Sequence, residues 1–550
     1  MKKWMLIGLL SLQCLSAQSF RITYQKSSNG TIIPNQDPVV VLATPHLTLI
    51  SSVQMLQQKA SYPREETFVD RKRNALVQKA QLNAQRFIVS IDSVSLEKQQ
   101  FEFTSETKTI LGYVCKKAVT SINSNTLELW YTDALGVKGS PTVLGQNLGM
   151  VLEIVRNGNF VTTALSVEKE KQKTAVVLPD TKNGVDLLSY RDLVWKSRFI
   201  TLPVFEKEII NFSDQAKSND SILRFANGTI AVRKITFPVI TPGSKVFIDL
   251  IEQSNGDAYD RTGSVFLIPT DKANTFWNGL TQGANALPLY ENGNGKKYQG
   301  VVATNSYSPL VELMRFFTPF GISHFNHISL KDKTWYTQVP YRQDISELAA
   351  AFSGKEVYLG VFIGNYDKGG HRISMNITLH PEEQSSAASP LVMPLFNTVN
   401  VMEMAGQEYG TMFNHEKGLE VTFTLTQDVR GARLRYLTTG HGGWENGDEF
   451  VPKKNTLLLD GKEVFSIVPW REDCGSYRLF NPASGNFPNG LSSSDYSRSN
   501  WCPGMVTYPY YIDLGDLKAG THTLQVIIPQ GAPEGSSFSA WNVSGVLLGH

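Results

Sequence analysis

The stretch KVFIDLIEQSNGDAYDRTGSVFLIPT, residues 245–270, contains two apolar runs, KVFIDLI and SVFLIP, that are typical of β-strands. Between them lie Asp257, Asp260 and Arg261, close to the start of the second run. Similar short runs, rich in β-branched and aromatic residues, fill residues 205–384 and resume after 396. The 43 glycines and 25 prolines of the chain supply turns between them. Short strands at close intervals predict two successive β-sandwiches or jelly rolls.

The whole chain is long enough for about three domains. Its 41% hydrophobic and 19% charged residues are typical of a folded globular protein. A net charge of +2 gives no sign of a nucleic acid or an anionic membrane as partner. We expect a first domain at 18–203, a second at 204–384, a linker at 385–396 and a third domain at 397–550.

The first domain has a mixed pattern, which predicts an α+β or β fold. The charged segment PREETFVDRKRNALVQKAQLNAQRF, residues 63–87, predicts a helix with a solvated face. Strand candidates such as TLELWYTD and MVLEIVRNG follow it.

The first 17 residues predict a signal peptide. Lys2 and Lys3 precede an apolar stretch at 6–15, and the small residues Ser16 and Ala17 follow it. We therefore expect a secreted or periplasmic protein. Cys14 suggests a lipoprotein anchor as an alternative, but Gln13 is bulkier than that motif tolerates. No later stretch approaches the roughly 20 apolar residues that span a bilayer, so we expect no membrane partner.

Removal of the signal peptide leaves three cysteines. In an oxidising compartment Cys474 and Cys502 are the natural disulfide pair, and Cys115 is expected to be a buried free thiol. His324 and His327 have metal-like spacing, but no carboxylate or thiolate neighbours them. We expect no metal and no cofactor. The chain also has no nucleophile motif and no glycine-rich phosphate loop after a strand.

Three stretches contain candidate site residues. Asp257, Asp260 and Arg261 fit either a turn that ends in a surface salt bridge or a water-activating site at a strand mouth. The second stretch, TTGHGGWENGDEFVPKKNTLLLDG at 438–461, allows close backbone approach to a ligand at its glycines. In the same stretch His441 offers a polar edge, Trp444 offers a face for stacking and Glu449 offers a carboxylate.

The third stretch is DYSRSNWCPGM, residues 495–505, which contains Arg498 and Trp501. A Cys474–Cys502 bond would close a loop around both residues, with a stabilisation of roughly 3 kcal/mol. Such a loop would hold Arg498 still.

Taken in order, these stretches resemble the bacterial peptide-N-glycosidase F family, amidases that remove whole N-linked glycans from asparagine. The resemblance covers about 205–550, and its most specific part is R-x-x-W-C-P-G-M at 498–505. It implies two eight-stranded antiparallel jelly rolls side by side. The first block is similar to an extra N-terminal domain of longer family members.

The resemblance also implies residue roles. Asp260 is the expected catalytic aspartate, and Glu449 works with it through water. Asp257 and Arg261 support the reaction: Arg261 would hold the Asp260 carboxylate or supply positive charge to the developing oxyanion. The residues expected to contact substrate are Arg498, His441, Trp444 and Trp501. The expected partners are N-glycoproteins and glycopeptides, and we expect a monomer.

Two departures from the family pattern stand out. Gly256 and Val451 occupy positions where further disulfide cysteines are expected. A glutamate in the last strand of the first jelly roll is also missing, because its position falls near Phe362 in EVYLGVFIGNYD. The nearby Asn365, Tyr366 or Asp367 could replace it, or nothing does. This departure concerns recognition of the innermost sugar more than the chemistry.

Two other functions compete with the amidase. A catalytically weak N-glycan-binding protein would keep the cleft but not the turnover. Copper monooxygenases also use paired jelly rolls, but the nine histidines form none of the clusters that copper needs.

Overall fold

A computed structural model of the protein describes residues 18–170, 176–321, 329–382, 390–442, 446–482 and 493–550. The chain divides into two compact units, Met1–Arg198 and Phe199–His550. None of the helices in these described ranges has the length and apolar character to cross a membrane. The predicted signal peptide, including Cys14, lies outside the described residues, so export stays a prediction.

The first unit is built on one 12-stranded sheet in which neighbouring strands run antiparallel. Its strands are β1 Phe20–Ser28, β2 Thr31–Ile32, β3 Val39–Ala43, β4 Leu47–Ser52, β5 Arg64–Asp70, β6 Ala75–Gln81, β7 Phe87–Asp92, β8 Glu102–Ile110, β9 Tyr113–Ile122, β10 Asn125–Thr132, β11 Met150–Arg156 and β12 Phe160–Lys169. The sheet order is β7-β6-β5-β4-β3-β1-β12-β11-β10-β9-β8, and β2 pairs with β1. The α-helices described in this unit are α1 Val53–Leu56 and α2 Leu187–Lys196.

The predicted helix at 63–87 is wrong, because this segment forms β5, β6 and the start of β7. Four of its nine charged residues, Asp70–Arg73, lie at the turn between β5 and β6, and the others lie on these strands or just before β7. At the turn, Asp70 Oδ1 accepts the backbone N–H groups of Lys72 and Arg73. Asn74 completes the turn with φ of 51°, a left-handed conformation that asparagine tolerates. Turn chemistry therefore decides the structure of this segment.

The second unit begins with a jelly roll. Its strands are β13 Ile200–Ile210, β14 Leu223–Phe225, β15 Ile230–Thr236, β16 Lys245–Ser254, β17 Thr262–Ile268, β18 Leu289–Tyr290, β19 Tyr298–Gln299, β20 Val311–Phe317, β21 Val339–Asp344, β22 Glu356–Ile363 and β23 His371–His380, with helix α3 at Phe276–Gln282. One sheet has the order β13-β23-β16-β21. In β16, Val246, Ile248 and Leu250 are buried at alternate positions, which is the pattern of a strand with one face in the core.

A second jelly roll follows. Its strands are β24 Leu391–Asn397, β25 Leu419–Leu425, β26 Val429–His441, β27 Asn455–Leu459, β28 Lys462–Ile467, β29 Val506–Thr507, β30 Tyr510–Leu517, β31 Gly520–Ile527 and β32 Ala540–Gly549. Its two sheets have the orders β24-β32-β26-β30 and β25-β31-β27-β28. The short β29 extends the other sheet of the first jelly roll, in the order β14-β15-β22-β17-β20-β29. Seven short 3-10 helices are described, at Ala226–Gly228, Ala284–Ala286, Ser346–Ala351, Glu403–Ala405, Met412–Asn414, Cys474–Phe480 and Ser493–Asp495.

The predicted fold class is confirmed: two antiparallel jelly rolls follow an N-terminal domain, and that domain is a β-sheet domain. The linker predicted at 385–396 is wrong over its second half, because Leu391–Asn397 is a strand that pairs with β32. The side chains of Leu395 and Phe396 are buried in the core, which explains why these residues do not form a free linker. Residues 383–389 lie outside the described part of the chain.

A buried polar network joins the two jelly rolls. Glu312 and Arg315, both on β20, form an ion pair with the Arg315 Nη2 to Glu312 Oε2 distance at 2.5 Å. Arg315 also donates to the Thr439 hydroxyl and to the carbonyl of Asn542 in the second jelly roll. Arg435 donates in the opposite direction, to the carbonyl of Glu312 at 2.8 Å. Buried charges are tolerated when they are paired in this way, and the network sets how the two jelly rolls meet.

Candidate active site

The loop between β16 and β17 contains the first set of candidate residues. Asp257 is buried and accepts two hydrogen bonds from Arg261, at 2.7 Å from Nε and 3.1 Å from Nη2. It also accepts the backbone N–H of Tyr259, which is an Asx-type turn. Arg261 therefore holds Asp257, and its predicted role of holding the Asp260 carboxylate is wrong. Asp260 is left free to face another partner.

That partner is Arg498. Its Nη1 lies 3.1 Å from Asp260 Oδ2 and also donates to Glu449 Oε1. The Arg498 side chain is only 1% exposed, while those of Asp260 and Glu449 are 14% and 19% exposed. The fold thus brings together three residues that are distant in sequence, one from the first jelly roll and two from the second. Two partly exposed carboxylates share one buried guanidinium.

Several contacts hold Arg498 in place. Its backbone N–H and carbonyl both pair with Arg471, at 3.0 and 2.8 Å. The guanidinium lies over the ring of Trp501, 4.2 Å from its centroid, and 5.0 Å from that of Phe450. Trp501 is 4% exposed, stacks on Phe317 and donates its indole N–H to the carbonyl of Gly440. Trp501 is therefore a platform under Arg498, and the predicted substrate contacts of both residues stay predictions.

The predicted disulfide between Cys474 and Cys502 is confirmed, with a sequence separation of 28 residues. Arg498 and Trp501 lie inside the loop that it closes. Cys115 is buried and free, as predicted. Disulfides are typical of proteins in oxidising compartments.

The loop that presents Glu449 is anchored by its neighbour Asp448, which is fully buried. The Asp448 carboxylate accepts the indole N–H of Trp541 at 2.7 Å and the backbone N–H of Gly531 at 3.0 Å. The Glu449 carbonyl accepts the N–H of Ser499, next to Arg498. These contacts place Glu449 by rigid neighbours although it lies in a loop.

Burial and charge change the acidity of both carboxyl groups. Burial raises the pKa of Asp260 against the opposing positive charges of Arg498 and Arg261. Burial likewise raises the pKa of Glu449, to about 7, against the lowering by Arg498, and the nearby Asp260 adds to the rise. Two carboxyl groups this close do not ionise independently, so the pair tends to retain a proton near neutral pH. One carboxyl group of the pair can then act as a base while the other acts as an acid.

His441 lies beside this pair, at the end of β26. Burial and the charges of Arg315 and Arg498 lower its pKa to about 3, so the imidazole is neutral near neutral pH. Its Nε2 lies 2.7 Å from the Thr439 hydroxyl, which itself accepts a hydrogen bond from Arg315. A neutral His441 can donate or accept hydrogen bonds to a ligand but adds no charge. Trp444 lies outside the described residues, and its predicted role stays a prediction.

The position of the missing strand glutamate is apolar. Phe362 is 3% exposed on β22, where its cluster includes Ile230, Phe266 and Val401. Of the three possible replacements, Asn365 donates to the carbonyl of Ile363, and Asp367 accepts the N–H groups of the glycine turn before His371. Tyr366 is the exposed one of the three.

Tyr366 contacts a glutamate that was not among the site residues predicted from the sequence. The side chain of Glu403, on the 3-10 helix Glu403–Ala405, accepts hydrogen bonds from the hydroxyls of Tyr366 and Tyr409. Burial raises the pKa of Glu403, against the lowering by the Tyr409 hydrogen bond and the charge of Arg261. The Arg261 guanidinium lies 5.4 Å from the ring centroid of Tyr366. We call Arg261, Tyr366, Glu403 and Tyr409 the tyrosine–glutamate cluster. A single glutamate on a one-turn 3-10 helix has no pattern that would reveal it in sequence.

Metal ligands are not grouped in the described residues: no set of three or more histidine, cysteine, aspartate or glutamate side chains is placed to hold a metal ion. His324 and His327, the pair with metal-like spacing, lie outside the described residues.

Comparisons with known proteins show which family the chain belongs to. Three family models match consecutive parts of the chain: "N-glycanase peptide, N-terminal domain" over 22–192, "Peptide-N-glycosidase F, N terminal" over 201–379, and "Peptide-N-glycosidase F, C terminal" over 408–548. Among curated proteins, no sequence matches this chain.

The chain is also similar to proteins of known structure. Two crystal forms of PNGF-II are 57% and 56% identical to this chain, with TM-scores of 0.89 and 0.86. Each match covers 97% of this chain, and the two matches cover 99% and 98% of the PNGF-II chains. PNGase F from Flavobacterium meningosepticum is 16% identical over 64% of this chain, with a TM-score of 0.42. The identity to PNGF-II and the three matched models show that the chain belongs to the peptide-N-glycosidase F family.

Proposed function

We propose that the protein is a peptide-N4-(N-acetyl-β-glucosaminyl)asparagine amidase, which hydrolyses the amide bond between an N-linked glycan and its asparagine. The observation that supports this most is the pair of partly exposed carboxyls, Asp260 and Glu449, on the shared guanidinium of Arg498. The substrates would be N-glycoproteins and glycopeptides.

The chemistry follows from what an amide requires. Its carbonyl is a poor electrophile, so the attacking water must lose a proton and the leaving amine must gain one. Asp260 is the proposed base, or the direct partner of the attacking water. Glu449 shares that water or polarises the carbonyl. Its raised pKa allows the Glu449 carboxyl to hold a proton, which it needs in order to polarise the carbonyl by a hydrogen bond. The products are a peptide with aspartate in place of asparagine, and a glycosylamine that decays to free glycan and ammonia.

Positive charge in the site would serve the transition state. Arg498 keeps the two carboxyls together, and Arg261, next to Asp260 in the chain, has a side chain that is 18% exposed. As the water attacks, negative charge develops on the amide oxygen, and a fixed cation nearby stabilises it. The hydroxyls and carboxylate of the tyrosine–glutamate cluster are suited to hydrogen bonds with sugar hydroxyls.

The competing proposal is a catalytically weak N-glycan-binding protein on the same fold. The observation that favours it is Phe362, which puts an apolar side chain where the family pattern has a glutamate. Glu403 offers another carboxylate close to Tyr366, so the loss of that glutamate does not leave the region without an acceptor.

The test is incubation of the full chain with a denatured N-glycoprotein in ¹⁸O-labelled water, with and without a chelator, followed by mass spectrometry of the peptides. The amidase predicts an asparagine-to-aspartate mass change with the label in the new carboxyl group. It also predicts that the reaction survives the chelator. A glycopeptide that binds but keeps its mass would select the binding protein, and cleavage within the glycan would contradict both proposals.

A further inference from the structure

A buried histidine lies behind the site and takes no part in the proposed reaction. His371 is the first residue of β23 and is fully buried. Its Nδ1 lies 2.8 Å from Glu252 Oε1, and its Nε2 lies 3.4 Å from Asp257 Oδ2. Glu252 and Asp257 are themselves buried. Two acidic groups and an imidazole are thus removed from water together.

Both ring nitrogens of His371 face carboxylate oxygens. An ionised carboxylate only accepts hydrogen bonds, so both contacts can form at once only if both nitrogens carry a proton. Burial by itself would lower the pKa of His371, but the hydrogen bonds and charges of Asp257 and Glu252 raise it to about 9. The imidazolium also balances charge: Glu252, His371, Asp257 and Arg261 together are neutral. With a neutral ring they would leave an uncompensated buried negative charge, which is costly.

The Asp257 carboxylate connects His371 to Arg261. Asp257 accepts from His371 on one side and binds Arg261 through both of its oxygens on the other. Arg261 in turn acts on the catalytic region, since its charge opposes the rise in the pKa of Asp260 and of Glu403. His371 touches none of the reacting groups itself.

The backbone keeps this arrangement in register. His371 pairs with Ser254 at the end of β16, immediately before the catalytic loop. The turn before it is Gly369-Gly370, and the Gly370 carbonyl accepts the N–H of Asn255 at 2.8 Å. A side chain at Gly370 would bring its Cβ within 2.2 Å of the Ile210 carbonyl oxygen, at φ of 62°. The glycine turn therefore permits the close approach that sets His371 against Asp257.

We propose that His371 is a positioning residue: it orients the Asp257 carboxylate and, through it, holds the Arg261 guanidinium beside Asp260. This inference rests on the proposed amidase function. The titratable and charged groups that face it are Glu252 on β16, Asp257 in the loop, and then Arg261 beyond Asp257 and Tyr341 beside Glu252.

The kinetic test uses the full chain with His371→Gln, measured with a synthetic N-glycopeptide from pH 6 to 10. We expect kcat/KM to fall by roughly 10-fold or more, a size typical of lost charged hydrogen bonds. The wild type should also lose activity as pH rises through about 9, because the imidazolium is lost there. The variant should lack this step. His522→Gln removes a different histidine–carboxylate pair, with Asp460, and should leave the profile unchanged.

A double-mutant cycle with Arg261→Ala separates positioning from general stability. If His371 acts through Arg261, His371→Gln should change kcat/KM by less than about twofold in the Arg261→Ala background. A full 10-fold further loss in that background would overturn the proposal. So would a wild-type pH profile in His371→Gln.

A measurement on the wild type covers the case in which His371→Gln does not fold. In the ¹⁵N-histidine-labelled protein, the His371 ring should stay doubly protonated to about pH 9, and Asp257→Asn should lower that value. A neutral ring at pH 7 would overturn the proposal. A wild type that binds glycopeptide without hydrolysing it would defeat the proposed amidase activity instead. Glycopeptide affinity would then decide the inference: weaker binding by His371→Gln supports it, and equal binding overturns it.

Discussion

Arg498 determines how Asp260 and Glu449 can act, because it contacts both carboxyl groups and is itself almost completely buried. A cation in a buried position attracts negative charge strongly, but two carboxylates around one guanidinium still repel each other. Burial raises the pKa of both groups against the attraction of Arg498, and the charge of Asp260 adds to the rise at Glu449. The proposed division of labour between a base and a proton holder depends on it.

The first residue-level prediction concerns Asp260→Asn. The amide has the same shape but cannot accept the proton of water, so the rate should fall by at least roughly 100-fold. Folding and glycopeptide affinity should remain, because the Asp260 side chain is partly exposed and contributes little to the core. Single-turnover kinetics and calorimetric binding check both parts. Turnover like that of the wild type would remove Asp260 from the mechanism.

Glu449→Gln should be nearly as damaging. If both carboxyls act on one water molecule, the double variant should be little worse than either single variant. The measurement is kcat/KM for the four members of the cycle. Multiplication of the two separate defects would indicate that the residues act at different steps.

Stability should depend on pH in a way that reports the carboxyl pair. A carboxyl with a raised pKa binds its proton more tightly in the folded state, so stability falls as pH rises from the unfolded value toward the folded one. For Glu449 that window runs from the ordinary glutamate pKa of 4.5 to about 7. Asp260→Asn removes one ionisable carboxyl group and, with it, the electrostatic repulsion that acts on Glu449. The Tm difference between Asp260→Asn and the wild type should therefore increase from pH 5 to pH 7. If calorimetry gives a Tm difference that stays constant over this range, the coupling of Asp260 and Glu449 is contradicted.

At the level of structural elements, short loops between rigid strands form the site. The 255–261 loop is set by β16, β17 and the glycine turn before β23. The segment with Arg498 is closed by the disulfide, and the segment with Glu449 is anchored by Asp448. Each loop has its own anchor, so the geometry does not depend on one element alone.

The 3-10 helix with Glu403 leads to a prediction about sugar recognition. Glu403→Gln keeps the size of the side chain but removes a charged acceptor, so KM for the glycopeptide should rise by about 10-fold while kcat changes little. The change should differ between plain and core-fucosylated glycopeptides. Glu408→Gln is a matched control, because Glu408 is nearby and pairs with Lys296 instead. Equal effects of the two variants would exclude a specific role for Glu403.

The same region argues against a direct restoration of the missing glutamate. Phe362→Glu would place a carboxylate in an apolar cluster with no partner, which destabilises the fold. The position is therefore a core position in this chain, and recognition of the innermost sugar would fall to neighbouring exposed groups.

At the scale of the whole molecule, the division into two units gives a test of what the first unit does. A chain beginning at Phe199 retains both jelly rolls and the stacking of Phe199 on His380, at 3.8 Å. It should fold and hydrolyse short glycopeptides with kcat/KM within about threefold of the full chain, since each unit has its own core. Calorimetry and kinetics check this, with intact glycoproteins compared in parallel. Loss of activity on the short glycopeptide would show that the first unit is needed for the chemistry.

The amino-acid sequence by itself determined the β architecture and the identity of the chemical groups. Strand runs with alternating burial, such as β16, and turn residues between them carry that information locally. The motif R-x-x-W-C-P-G-M was specific enough to indicate the family and the disulfide partner of Cys474. The hairpin at β5 and β6 was missed because charged residues suggested a helix, whereas turn chemistry at Asp70 and Asn74 determined the result.

Only the tertiary structure decided which side chains meet. Arg261 turned out to bind Asp257 rather than Asp260, Arg498 to join Asp260 with Glu449, and Glu403 to approach Tyr366. The contacts of Arg498 and Glu403 join residues that are far apart in the chain and come from both jelly rolls. Local patterns record the periodicity of a strand but not which distant loop packs against it. The contacts that set pKa values and proton positions are therefore properties of packing, and those around Arg498 arise only when the two jelly rolls come together.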